Sequence, residues 1–154
     1  MELKLSTKEK GVFWLAIKDR LSTHGLLKRR NMKLESYNCV LCHLDTEQSL
    51  NHLFLECPFA LSCWNMLGLA HLIQDNLIDS VFLFRTQIHK PFFIEIIIAM
   101  FWVIWAARNN AVFRNQQHSL QSCKQVFKQE LAQVELRAKE DLSLQIQLWR
   151  DNFV

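Results

Sequence analysis

Glycine and proline are nearly absent, with three and two among 154 residues. A β-sandwich or small barrel needs turn residues at each reversal, so this scarcity points to helices. Tyr37 is the only tyrosine, which rules out a Tyr-x-Asp-Asp pair of the polymerase type. No Gly-rich phosphate loop and no nucleophile elbow occurs. Glu47, Glu56 and Glu95 stand isolated, and no carboxylate array in strand contexts offers to hold two magnesium ions. With these routes to catalysis missing, a non-enzymatic chain is expected. The first ten residues are charged and polar, with no apolar stretch before Val12, so an intracellular setting in nucleus or cytoplasm is expected.

Half of the residues are hydrophobic, 50%, which is ample for a packed core. The formal charge of +3 is unevenly spread. Residues 1–33 carry nine Lys/Arg against three Asp/Glu, and the remainder carries nine against twelve. Five cysteines form an odd set. Cys39, Cys42, His52 and Cys57 give the spacing C-x2-C-x9-H-x4-C. Two thiolates can converge from one tight turn, and an imidazole and a third thiolate near a helix end can complete a zinc tetrahedron. Four protein ligands leave no open position for substrate, so one structural Zn2+ is the expected cofactor. His43 competes with His52 as the nitrogen ligand, and the alternative to metal is a set of unrelated buried side chains. Cys63 and Cys123 are left over at apolar helical positions and read as small buried hydrophobes.

The expected fold is mainly α: a small zinc-nucleated helical module packed on a buried central helix, with a long C-terminal helix. Three stretches are expected: residues 1–68 as the zinc-binding module, 69–90 as a variable connection, and 91–154 as a helical extension. In the first, Val12, Phe13, Ile17 and Leu21 share a helical face, and Ser22 and Thr23 offer caps for a second short helix. Asp45 to Gln48 offers a capping start for the helix that holds His52, and Pro58 suits the first turn of the next. Within 91–113, Ile96 to Ala107 is an unbroken apolar run of about 18 Å, against about 30 Å of bilayer hydrocarbon. A buried helix emerging at Arg108 is expected, and no membrane partner. Residues 119–149 read as one amphipathic helix of about 45 Å, because Leu120, Leu131 and Leu142 recur every eleven residues, as do Phe127, Ala138 and Trp149.

The segments FWLAIKDRLSTHGLLKRRNM, CVLC and LNHLFLECPFALSCW closely resemble the reverse-transcriptase zinc-binding domain of plant LINE-type (non-LTR) retroelements. VIWAARNNAVF at 103–113 looks like the IW-x2-RN-x3-F segment found downstream in these elements. The resemblance implies the ligands Cys39, Cys42, His52 and Cys57, a stand-alone copy lacking the polymerase, and a role in holding template or target nucleic acid. Lys28, Arg29, Arg30 and Lys33, clustered before the cysteine turn, are the candidate phosphate contacts. Phe13 and Trp14 are expected to fill the core. The alternative is a protein-interaction module acting through the long C-terminal helix, with Phe82 and Phe84 adding exposed apolar area. The oligomeric state is open.

Overall fold

A computed structural model describes residues 5–153; residues 1–4 and Val154, at the outer ends of the expected ranges, lie outside them. Seven α-helices account for most of the described chain: α1 (Thr7–Ile17), α2 (His24–Arg29), α3 (Pro58–Met66), α4 (Leu77–Gln87), α5 (Phe93–Arg114), α6 (Leu120–Arg137) and α7 (Glu140–Asn152). Among the described residues there is no strand, only an isolated antiparallel bridge between Asn38 and Glu47. The mainly α architecture is as the sequence leads one to expect.

α5 is the axis. It is the one described helix long and apolar enough to cross a bilayer, yet 56% of its apolar window is buried inside the protein. α1, α3 and α6 pack around it. Phe101 at its middle receives Phe13 edge-on from α1, with centroids 5.2 Å apart. On another side it meets Phe54 at 4.7 Å and Trp64 at 5.6 Å. The metal-bearing segment and the central helix therefore share one core, as expected, and burying aromatic rings of this size contributes on the order of 2–3 kcal/mol each. Trp14 departs from expectation. One position on from Phe13, it is 62% exposed, with the Lys18 ammonium 4.8 Å from its ring.

Residues 69–90 are not a bare connection. They hold a single 3-10 turn (Ala70–Leu72) and α4, whose start is capped by Asn76 accepting from Asp79 N–H at 2.9 Å. Phe84, fully buried, packs against Trp64 with centroids 4.9 Å apart and the rings tilted, while Phe82 is 70% exposed. The expectation of two exposed phenylalanines is thus corrected at Phe84, whose ring faces the core side of α4.

The helix read over 119–149 is two helices. Ala138 and Lys139 adopt extended backbone, with ψ of 158° and 157°, between α6 and α7. The chain folds back there: Trp149 lies 6.3 Å from Phe127, Phe153 lies 5.2 Å from Phe127, and Arg150 pairs with Glu135 at 2.5 Å. In a straight helix Phe127 and Trp149 would sit about 33 Å apart, with little of α7 in contact with anything. Reversal places Ile146 and Phe153 in the core, and that burial outweighs the helical hydrogen bonds lost at the break. The eleven-residue recurrence survives because each helix keeps its own apolar face.

Candidate metal centre

The cysteine turn is built by backbone pairing. Cys39 N–H donates to Thr46 C=O at 2.8 Å and Gln48 N–H to Tyr37 C=O at 2.9 Å, closing a loop around 39–46. His43 and Asp45 hold φ of 54° and 51° in that loop, the left-handed region where short polar side chains carry little penalty. Leu41 N–H points at Cys39 Sγ, 3.4 Å away. α2 is tied to the same loop through Gly25, whose N–H donates to Gln48 C=O at 2.9 Å. A Cβ on Gly25 would lie 3.1 Å from that carbonyl oxygen, so a side chain there would push α2 off the metal loop.

The other two ligands come from a π-helical turn, His52–Glu56. Ser49, rather than the expected Asp45–Gln48 stretch, caps its start, its hydroxyl accepting from His52 N–H at 3.0 Å. In an α-helix, positions five apart point about 140° away from each other. Here Cys57 N–H bonds back to His52 C=O at 2.7 Å, the five-residue closure of a π turn, which brings both side chains to one face. Widening the turn and placing Pro58 after it frees Phe54 C=O, because proline has no N–H to give the residue four positions back. The Trp64 indole N–H takes that role, donating to Phe54 C=O at 2.7 Å inside the core.

The ligand atoms of Cys39, Cys42, His52 and Cys57 all lie within 4.8 Å of one another. Cys39 Sγ to Cys57 Sγ is 3.9 Å, and Cys42 Sγ to His52 Nε2 is 3.3 Å. A tetrahedral zinc with ordinary bond lengths has S···S edges of about 3.8 Å and S···N edges of about 3.5 Å. The donor set and its spacing therefore fit one structural zinc ion, which when bound would supply folding energy. His43, the competing ligand, is outside the cluster and exposed. Cys39, Cys57 and His52 are buried and Cys42 is partly so. A hydrogen bond from the Cys57 thiol and one from Leu41 N–H hold the Cys39 thiol down to about 4 against the cost of burial, the thiolate a metal requires. Glu56 Oε2 stands 4.0 Å from His52 Nδ1, on the side of the ring away from the metal position.

Arg108 was expected to mark the emergence of the central helix, but it is 3% exposed. Its Nε donates to Gln48 Oε1 at 3.0 Å and Nη2 to Ser22 C=O at 3.2 Å, with the guanidinium 4.8 Å from the Trp105 ring. Burial lowers it to about 10, and the Cys39 thiolate favours its charge. Three thiolates and one Zn2+ leave a net negative centre, which this buried cation complements.

The basic cluster is divided. Lys28 Nζ pairs with Glu47 at 2.8 Å and Arg29 with Asp19 at 3.0 Å, all four side chains well exposed. Arg30 and Lys33 are exposed, and no ion pair involves either among the described residues. Asp19 brings Arg29 to the C-terminal end of α1, where Lys18 and Arg20 also lie. No curated protein and no solved structure matches the chain. Residues 2–64, a span that contains all four clustered ligands, match the family model for zinc-binding in reverse transcriptase.

Proposed function

We propose that this chain is a non-catalytic zinc-organised module of plant LINE-type retroelement origin that holds nucleic acid by its phosphate backbone. The observation that carries the reading is the pair Arg30 and Lys33, exposed, without ion partners among the described residues, and close in sequence to a metal-organised loop. Lys28 and Arg29 join them readily. Exposed ion pairs of this kind are weak and screened by solvent, so a phosphate can displace the carboxylate. Trp14, exposed beside Lys18, adds a face for base stacking that favours a single strand. Contacts to the phosphate backbone carry no base information, so binding is tolerant of sequence.

Fluorescence anisotropy with labelled single-stranded and duplex oligonucleotides tests this. Four phosphate contacts predict that log K falls with log salt at a slope of about −3 to −4. Joint substitution of Arg30→Glu and Lys33→Glu should weaken binding at least about tenfold at unchanged melting temperature. Equal affinity in that variant would remove the patch from the reading. A second reading, contact with another protein, is favoured by the exposed Leu136 (78%), Leu144 (55%) and Leu148 (55%) on α6 and α7. A concentration-dependent dimer in sedimentation that ignores oligonucleotides would put it first.

A further inference from the structure

A cavity of about 780 Å³ opens beside the cysteine turn, walled by that turn, the first residue of α2 and the connection from α5 to α6. Its size is that of a small-ligand site. Asn38, Asn115, Gln116 and Gln117 line it, and none of their side-chain amides has a hydrogen-bond partner among the described residues. Asp45 lines it too, and no hydrogen bond or ion pair among the described residues engages its carboxylate. A solvated amide is ordinary on any surface. Five uncommitted polar side chains, from two segments far apart in sequence, converging on one cavity form a set of donors and acceptors. What the wall lacks is a cation, since no Lys or Arg lines it. A phosphate there would meet Asp45 with nothing to neutralise either charge, so the occupant is uncharged and hydrogen-bonding.

Two rings stand at the same wall in fixed positions. His24 Nδ1 lies 3.1 Å from Asn38 C=O, and His118 packs edge-to-face on Phe59 with centroids 4.3 Å apart. Imidazoles are among the side chains that receive unstacked bases. Ser36, which also lines the cavity, follows Lys33 by three residues, so at most about 11 Å of chain separates the two.

We propose that this cavity receives one guanine base, turned out of a bound single strand whose phosphates lie on Arg30 and Lys33. The assignment rests on the nucleic-acid reading and deepens it, adding one base-selective position to a backbone grip that is itself indifferent to sequence. Guanine is singled out by the carboxylate. Its N1–H and N2–H groups donate side by side to the two oxygens of Asp45, and its O6 accepts from a neighbouring carboxamide. Uracil and thymine flank their one N–H with carbonyl oxygens, which a carboxylate repels. Adenine and cytosine offer it a single amino group beside a ring acceptor.

The test compares the zinc-loaded full chain on four labelled oligothymidylates, one unchanged and three carrying a single central G, A or C. Anisotropy should show the G oligomer bound about tenfold more tightly than the others. Guanosine, which has no phosphate to meet the basic cluster, should by itself shift the NMR signals of the Asn38, Asn115 and Gln116 side-chain amides; uridine should not. Asp45→Asn suits the left-handed φ of 51° at that position and should abolish the preference for G while zinc stays bound. Joint Arg30→Glu and Lys33→Glu should weaken all four oligomers alike and leave the preference intact. Equal affinity for the four oligomers, with no guanosine shifts, overturns the inference and leaves the backbone reading standing. A preference for G that survives Asp45→Asn overturns it as well. Guanosine shifts at the cavity without binding of any oligomer would keep the base site and remove the strand reading. The wild-type comparisons decide the matter whether or not the variants fold.

Discussion

Single side chains carry unequal weight around the metal position. Cys42 is the least buried of the four ligands, and its Sγ is 3.3 Å from the ring nitrogen of His52. Cys42→Ser removes one thiolate and opens the site to exchange. The polar loop around it has little burial of its own, so the loss should be on the order of several kcal/mol. Elemental analysis should find far less than one zinc per chain, and the early part of the chain should melt without a chelator step; unchanged zinc content and melting would refute the site. Trp64→Phe probes a different link. It keeps aromatic contact with Phe84 and Phe101 but orphans Phe54 C=O, at a cost of about 1–3 kcal/mol measurable by urea unfolding. A third residue-scale feature is the carboxyl pair Glu9–Glu130. Burial, then the hydrogen bond with Glu9, raises Glu130 to about 7 from 4.5. Between those values the folded chain holds a proton that the unfolded chain has lost, so this contribution is full below pH 4.5 and fades as pH rises through 7. Glu130→Gln keeps a donor toward Glu9 and removes the titration. Its melting temperature should fall less than the wild type's between pH 5 and 8, and parallel curves would exclude the pair as the cause.

At the scale of elements, what was legible in the sequence followed from periodicity and spacing. α2 and α3 were legible from Thr23 and Pro58 and α5 from its apolar run, whereas α1 begins at Thr7 and ends at Ile17, which leaves Leu21, expected on its face, beyond the helix; the ligand spacing indicated four residues that the structure brings together. The π turn was not legible as such, although its signal was present: ligands at His52 and Cys57 cannot share a face of an α-helix, so the four-residue spacer already required a wider turn. The break between α6 and α7 left no signal at all. Ala138 and Lys139 are ordinary helix formers, and neither glycine nor proline interrupts the pattern. Only the tertiary gain from bringing Trp149 and Phe153 back onto Phe127 decides it. Trp149→Ala should therefore loosen α7 before the rest of the molecule. Amide exchange in 140–152 should accelerate strongly while α5 stays protected, and the overall loss should be about 2–4 kcal/mol. Uniform acceleration throughout would mean that the hairpin is not a separable unit.

For the whole molecule the question is what couples the metal-organised loop to the central helix. Apolar packing supplies most of the energy, since a single cluster of buried side chains includes Cys39, Leu53, Phe54 and Cys57 together with α5 and Phe127. Packing alone is tolerant of small shifts. Arg108 is not, because its guanidinium reaches Gln48 beside the loop and Ser22 before α2, 60 and 86 residues away in sequence. Gln48 Oε1 also accepts from His24 N–H at 3.3 Å, so one buried amide joins α2, the loop and α5. Arg108→Met preserves much of the side-chain length and the apolar contact with Trp105 while deleting every donor. Gln48 and Ser22 then lose their charged partner in the interior, and the zinc–thiolate centre loses a complementing buried cation. The expected cost is about 3 kcal/mol or more in stability, with faster zinc loss to a competing chelator. A pure stability defect would lower the melting temperature and leave the chelator rate, measured well below melting, as in the wild type. That result would assign Arg108 to packing only, whereas a joint fall in both identifies it as the residue through which central helix and metal loop hold each other in place.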